Sequence, residues 1–223
     1  MNSSKAQKAD LEWLENGVPV SIRFGDPYYS VSGGLAESQH VFLRGNGLPE
    51  RFCDGFHIAE LGFGSGLNLL TAWKAWEDAG MTSPLRFTSF EAYPMVPEDM
   101  ARALAVWPEL EEYAEKLLLG GMQLQEKTLE LNVIIGDARE TLPKWQGFAD
   151  AWFLDGFSPE RNSELWAPEL LQAVADHTEA SGTFATYTAA GHVRRSLENV
   201  GFTVTRPKGY GRKRHMSAGF YHE

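Results

Sequence analysis

Along the chain, short apolar runs bounded by glycine or polar residues alternate with longer stretches of helical spacing. His57 to Leu61 is a short, mostly apolar run between Gly55 and Gly62, the pattern of a buried strand. From Leu67 onward, Leu67, Leu70, Thr71, Trp73 and Trp76 fall near helical spacing. Leu85 to Glu91 alternates as a second strand. Pro94 and Pro97 open a helical stretch through Trp107, and another runs from Glu109 to Leu119. Leu129 to Ile135 and Ala149 to Leu154 read as the third and fourth strands, and Leu165 to His177 as a helix. Thr183 to Tyr187 is a strand, Val193 to Val200 a helix, Phe202 to Thr205 a strand, Pro207 to Arg214 a basic glycine-containing loop and Met216 to Tyr221 the last strand. Ahead of this series, Val18 to Phe24 alternates weakly and is followed by a turn at Gly25, Asp26 and Pro27. Tyr28 to Ser30 reads as a second short strand and Gly33 to Glu37 as a loop. Glu37 to Leu43 fits a helix ending at Gly45 and Gly47. The expectation is an α/β protein with a seven-stranded, mostly parallel, Rossmann-like sheet spanning residues 55–223, preceded by a small extension, residues 1–54.

Between the first core strand and its helix lie Gly62, Gly64 and Gly66. A strand that turns through glycines into a helix brings backbone N–H groups and a helix N-terminus close to a ligand. A dinucleotide fingerprint needs G-x-G-x-x-G. Here the spacing is G-x-G-x-G, with Leu67 where the third glycine would fall. Glu60, at the carboxyl end of the strand, would repel a pyrophosphate but suits the cationic amino-acid end of S-adenosylmethionine (SAM). An ordinary glycine-rich turn and a nucleotide phosphate site stand as the alternatives.

Three later positions share the carboxyl ends of strands, where open α/β sheets bind ligands. Glu91 is placed to accept hydrogen bonds from ribose hydroxyls. Asp137 can bond an adenine amine while the Ala138 N–H meets a ring nitrogen, or it can serve as a helix N-cap. Asp155 is followed by Gly156, Phe157, Ser158 and Pro159. An acid there can hold an amine against a methyl donor, and the aromatic can stack on a base or face a cation. Capping of the next helix is the plain structural alternative for Asp155. The aromatic pair Tyr28 and Tyr29 can cover the ligand or pack on the surface.

Composition narrows the partners. The chain has 223 residues, one cysteine (Cys53) and six histidines without metal-ligand spacing, so no intrachain disulfide or cysteine-rich zinc site is possible and no metal is expected. The N-terminal stretch is polar and lacks the apolar core of a signal peptide, and no apolar run approaches a membrane span. A cytoplasmic protein without membrane association is expected. Net charge is −10, which opposes nucleic-acid binding, but the charge is unevenly spread. From Ala190 onward there are seven basic residues (Arg194, Arg195, Arg206, Lys208, Arg212, Lys213, Arg214) against Glu198 and Glu223, a net of +5. A basic C-terminal patch on an acidic body suits a polyanion, and a solvated basic turn is the alternative.

Nine segments together resemble one family, the bacterial tRNA 5-aminomethyl-2-thiouridine methyltransferases, found as one half of a bifunctional protein and as a stand-alone enzyme. They are Asp26 to Tyr29, Gly34 to Phe42, Glu60 to Asn68, Ser89 to Glu91, Gly136-Asp137, Ala151 to Pro159, Asn162 to Trp166, Thr186 to Arg195 and Lys208 to Arg214. The resemblance spans nearly the whole chain. It implies a SAM-dependent methyltransferase that N-methylates the aminomethyl group of a wobble uridine, with the tRNA anticodon stem-loop as partner. It also implies that Glu60, Gly62, Gly64, Asn68, Glu91, Asp137 and Asp155 are cofactor or active-site positions, with Phe157 beside the base. Gly66 and Ala138 join the expected cofactor set. Tyr28, Tyr29 and Glu37, with the basic residues Arg194, Arg195, Lys208, Arg212, Lys213 and Arg214, are the expected substrate contacts. The bifunctional members continue into a flavin-dependent oxidase, whereas this sequence stops at Glu223. A separate oxidase is therefore expected to supply the aminomethyl substrate. Two other classes compete: a SAM-dependent amine methyltransferase acting on a small molecule or protein, and a non-catalytic RNA-binding module.

Overall fold

The computed structural model describes residues 7–30 and 33–222. The first six residues of the polar N-terminal stretch, positions 31 and 32, and Glu223 of the charge tally lie outside the described residues. A three-stranded antiparallel sheet comes first, made of β1 (Leu11–Trp13), β2 (Pro19–Ser21) and β3 (Asp26–Pro27). Helix α1 (Gly34–Ser38) runs straight into a π-helical turn, Gln39–Leu43, and a 3-10 turn, Arg44–Asn46. The main body follows as β4 (His57–Leu61), α2 (Leu67–Asp78), β5 (Leu85–Glu91), α3 (Pro97–Leu104), α4 (Glu111–Gly120), β6 (Gln123–Glu126) and β7 (Leu129–Ile135). It continues through α5 (Ala138–Thr141), β8 (Ala149–Leu154), α6 (Pro168–Asp176), β9 (Thr178–Thr186), α7 (Gly191–Asn199), β10 (Phe202–Thr205) and β11 (Ser217–Tyr221).

The large sheet has the order β10-β11-β9-β8-β4-β5-β7-β6. Its five central strands are parallel, and β6, β11 and the β10–β11 pair are antiparallel additions at the edges. The chain leaves β4 toward β5 and β7, then returns to the other side of β4 through β8. The β4–β8 junction is thus the topological switch point, where a crevice opens beyond the carboxyl ends of the strands. Helices cover both faces. On one side Trp73 and Trp76 of α2 pack with Phe87 and Phe153; on the other Phe90 and Trp152 pack with α6 and α7. Leu35, Val41, Phe42, Leu43 and Leu48 belong to the first of these clusters. Among the described residues no helix is long and apolar enough to cross a membrane.

The structure differs from the sequence expectation in several places. The sheet has eight strands rather than seven. The extra strand, β6, carries a single apolar residue, Leu124, and is held as an edge by pairing with β7. Strand β9 starts at Thr178 rather than Thr183, with a register shift against β8 between Ala149 and Ala151. The expected helix from Leu165 to His177 is broken at Ala167, which Pro168 holds extended at φ −64, ψ 142. Trp107 before Pro108 likewise leaves the helical region, so α3 stops at Leu104. In the N-terminal part, the strand at Leu11–Trp13 was not legible, the Val18–Phe24 strand shortens to β2, and strand pairing falls on Asp26–Pro27 instead of Tyr28–Ser30.

Candidate active site

The carboxyl ends of β4, β5 and β8 close around a cavity of about 480 Å³. Its floor is the glycine turn. Gly62 has φ +91, and a Cβ there would run into the backbone carbonyl of Asp155, so only glycine lets the chain leave β4 against the residue that follows β8. Gly64, at φ +55, faces the Tyr28 ring, which a Cβ would meet at 3.1 Å. Gly66 forms the left-handed N-cap of α2. The first turn of that helix, with Leu67 and Asn68, lines the cavity beside Ser65.

Glu91 ends β5 on the cavity wall. Its Oε2 accepts from the Gly64 N–H at 3.0 Å and its Oε1 from the Tyr93 N–H at 2.7 Å, which fixes the carboxylate and leaves further lone pairs for a ligand. Burial raises its pKa, against the pull of these backbone donors. Glu60 is placed differently from the expectation. It is fully buried and does not line the cavity. Its oxygens accept from Asn68 Nδ2 at 3.0 Å and from Ser89 Oγ at 2.7 Å, and burial raises its pKa well above the ordinary carboxylate value.

Asn68 links this enclosed acid to the one that faces the cavity. Its Nδ2 also donates to Asp155 Oδ2 at 2.6 Å, while its Oδ1 accepts from the buried Ser38 hydroxyl at 2.6 Å. Asp155 stands one residue past β8 and contributes to the cavity wall. Burial and the nearby Glu37 push its carboxyl up to about 7, with Asn68 and Lys213 pulling the other way. Its Oδ1 has no hydrogen-bond partner among the described residues. A carboxylate poised near neutrality, with one oxygen anchored and one open to a cavity, can orient and deprotonate a bound donor.

An aromatic wall stands opposite. Phe157 stacks on Phe24 at 4.8 Å and meets Tyr28 edge-on at 5.0 Å, so one face of its ring is already covered. The loop carrying it is held by the N-terminal sheet: Asp26 Oδ2 accepts from the Ser158 N–H at 2.9 Å, and Trp166 Nε1 donates to the Phe157 carbonyl at 2.8 Å. Tyr28 lines the cavity, and burial raises its hydroxyl pKa. Tyr29 also lines it, but its hydroxyl donates to the Ala103 carbonyl at 3.1 Å and its ring packs on Trp107.

At the far end, Asp137 caps α5 through the Arg139 N–H at 2.9 Å, the structural alternative read from the sequence. Its carboxylate is also paired with the Arg139 guanidinium at 2.6 Å, and that bonding lowers its pKa. Ala138 lines the cavity at the first position of α5, where the helix supplies no acceptor for its N–H.

The basic residues divide. Lys213 reaches the cavity, where its Nζ pairs with Glu37 Oε1 at 2.7 Å and lies 4.7 Å from the Tyr187 ring centroid. Arg194, Arg195, Lys208, Arg212 and Arg214 do not line it. Arg195, Lys208, Arg212 and Arg214 are exposed, and Arg194 is half-buried with its guanidinium on the Ala189 carbonyl. Phe24, Ser38, Ser89 and Tyr187 complete the site: Ser38, Ser89 and Tyr187 fall in segments that carry the family resemblance but had no role assigned, and Phe24 lies outside them. Each owes its place to a long-range contact, for which a single sequence carries no signal.

The wall chemistry fits SAM. The glycine turn lines the cavity at Gly62 and Gly64, the Glu91 carboxylate retains acceptors suited to ribose hydroxyls, and the Asp155 carboxylate offsets a cationic ligand. The volume lies within the range of about 300–1,000 Å³ usual for small-molecule sites.

Comparison with known proteins agrees. A family model described as S-adenosyl-L-methionine-dependent methyltransferase matches residues 102–222. The chain is 44% identical over 226 residues to the tRNA 5-methylaminomethyl-2-thiouridine biosynthesis bifunctional protein MnmC of Methylobacillus flagellatus, covering 95% of this chain and 35% of that protein. The MnmC protein of Pseudomonas aeruginosa is 43% identical, covering 98% of this chain and 36% of its own length. The chain therefore spans about a third of the length of these bifunctional relatives. The crystal structure of MnmC2 from Aquifex aeolicus superposes with a TM-score of 0.77 at 29% identity, covering 98% of this chain and 72% of that one. With more than half of its length matched by the family model, and with the cavity, the glycine turn and the strand-end acids in place, this chain belongs to the S-adenosyl-L-methionine-dependent methyltransferase family.

Proposed function

We propose that the protein N-methylates 5-aminomethyl-2-thiouridine at the wobble position of tRNA, giving 5-methylaminomethyl-2-thiouridine. The similarity to proteins named for that nucleoside's biosynthesis supports the choice of substrate. The observation that carries it is the Asp155 carboxylate, anchored through Oδ2 by Asn68 with Oδ1 open to a cavity walled by Phe157 and Tyr28.

When bound, SAM supplies an electrophilic methyl group on a sulfonium, which a neutral amine can attack in line with the departing sulfur. The nucleophile must therefore lose a proton. Asp155 accepts an N–H of the amine at Oδ1, orients its lone pair and takes the proton, which then passes to solvent. With its carboxyl near 7, a useful fraction is ionised at neutral pH. Asn68 keeps the carboxylate from rotating. Glu60 and Ser38 fix Asn68 from behind. Glu91 would hold the ribose hydroxyls of the cofactor, the Ala138 N–H would offer it a backbone donor, and the glycine turn would line its site.

The target base leaves the anticodon stack, as single-stranded loop recognition permits, and enters beside Phe157 and Tyr28. Arg195, Lys208, Arg212 and Arg214, with Arg194, grip anticodon-stem phosphates. The oxidation that exposes the amine is assigned to a separate oxidase site, fused or free, and the reaction places the protein in the cytoplasm with tRNA. The test is transfer of labelled methyl into an extract from cells lacking this gene. RNase-sensitive label in small RNA supports the reading. RNase-insensitive label would move the activity to a protein or small-molecule amine, and SAM binding without any label would leave it without this substrate.

A further inference from the structure

The ion pair between Lys213 and Glu37 joins residues 176 positions apart at the mouth of the cavity. Lys213 belongs to the loop between β10 and β11, which is a built feature. His40 Nε2 bonds the Lys208 carbonyl at 2.8 Å, the Lys213 N–H donates to the Tyr210 carbonyl at 3.0 Å, and the Met216 N–H to the Pro207 carbonyl at 3.0 Å. Gly209 has no room for a Cβ, because the Lys213 backbone and side chain wrap around it at 2.7–2.8 Å. The loop is closed, and its lysine is directed inward.

A primary ammonium thus lies within hydrogen-bond distance of one carboxylate, over one aromatic face, beside Asp155. The Tyr187 ring is itself fixed, since its hydroxyl donates to the Gly156 carbonyl at 2.7 Å in the loop that follows Asp155. Carboxylate plus aromatic face is the chemistry that binds a protonated alkylamine. The proposed substrate reaches the protein as such a cation and must shed water before it can be deprotonated. We propose that Glu37 and Tyr187 form a primary-ammonium subsite at the cavity entrance, which Lys213 fills in the free enzyme and the substrate's aminomethyl group takes over on binding.

This inference rests on the proposed function for the identity of the amine, but not for the existence of the subsite. The Lys213 side chain is about half exposed (48%) and Glu37 much less so (13%), so the pair is weak enough to exchange. Once displaced, Lys213 adds its charge to the basic rim that faces phosphate. Glu37 is then the specificity-determining residue for a cationic amine, and Tyr187 its positioning partner.

The test uses ethylammonium as a probe on the full chain at constant ionic strength, with sodium as the control cation. Binding is followed by ligand-observed NMR, and competition by inhibition of methyl transfer. Lys213→Ala and, as a second variant, Lys213→Gln should each bind ethylammonium about two- to sixfold more tightly than the wild type, the range set by an exposed ion pair of this kind. Adding Glu37→Gln should abolish the gain. Equal binding by the wild type and both lysine variants would overturn the subsite, as would tight binding that survives loss of Glu37. Because the NMR readout needs no tRNA, a subsite that binds ethylammonium in a protein that does not methylate tRNA would retire the proposed substrate and keep the subsite. Active tRNA methylation with no ethylammonium binding by the lysine variants would do the reverse.

Discussion

Replacing Asp155 with Asn removes one charge from the cavity wall and keeps its shape, because the new amide oxygen can still accept from Asn68 Nδ2. Two opposite effects follow. Catalysis should fall by about 10²–10⁴ in kcat, the usual contribution of a positioned proton acceptor, while SAM affinity changes only a few-fold. Stability should rise. The carboxyl titrates at about 7 in the folded protein against 3.8 in the open chain. At about 1.36 kcal/mol per pH unit, the gap between those values sets an upper limit of about 4 kcal/mol on the cost of holding the charge. Cavity water screens part of it, and the unmet N–H donors of the amide cost about 1–3 kcal/mol, so a net gain of about 1–2 kcal/mol is expected. For a domain of this size that is about 2–8 °C in Tm. The direction with pH is fixed by linkage. An acid whose folded pKa is raised binds more protons folded than unfolded between about 4 and 7, so wild-type stability declines across that window and levels off above it. The variant should therefore be the less stable protein near pH 4, where only the amide cost remains, gain on the wild type as pH rises toward 7 and hold a constant Tm advantage beyond. The assay is thermal unfolding of both proteins from about pH 5 to 8.5, paired with SAM binding and turnover. An advantage that is absent at every pH, or that shrinks as pH rises, would refute the electrostatic account. Equal loss of turnover and SAM affinity would make Asp155 a cofactor ligand instead of the proton acceptor.

Three other outcomes follow from the same geometry. Asn68→Ala removes the donor that lowers the Asp155 pKa, so the acidic limb of the kcat/KM profile should move to higher pH; an unchanged limb would separate Asn68 from the titrating group. Gly62→Ala forces a Cβ into the Asp155 carbonyl at a positive φ and should cost more than about 3 kcal/mol, checked by denaturant unfolding, with wild-type stability counting against the close β4–β8 approach. Charge removal at Arg212 and Arg214 should weaken tRNA binding and lower the slope of log K against log salt by roughly 0.7–0.9 for each phosphate no longer neutralised, leaving SAM binding intact; an unaltered slope would place the tRNA elsewhere.

How far the sequence revealed these features depended on whether they were local. Strands β4, β5, β7, β8 and β10 were legible to the residue, because each is an apolar or alternating run closed by glycine, proline or charge. Strand β6 was not, since Leu124 alone gives no alternation and its pairing comes from β7. The turn from α1 into a π-helix left no trace in the spacing of Glu37 to Leu43. In the site, the glycine turn, Glu91 and Asp155 were legible because strand ends in an open sheet mark the ligand crevice. The placement of Glu60 behind Asn68, away from the cavity, was not. It depends on the parallel register that sets Leu61 beside Leu154, which brings Asp155 next to the glycine turn and under Asn68. The Lys213–Glu37 pair and the stacking of Phe24 on Phe157 join distant segments that no periodicity connects.

The central claim is that Asp155 and its aromatic wall present a tRNA aminomethyl group for methylation. Its most direct measurement is nucleoside analysis of tRNA from cells lacking this gene, after incubation with the purified protein and methyl-labelled SAM. The account predicts label in 5-methylaminomethyl-2-thiouridine and a matching loss of 5-aminomethyl-2-thiouridine, both prevented by Asp155→Asn. Label in any other nucleoside, or an undiminished yield from the variant, would contradict it.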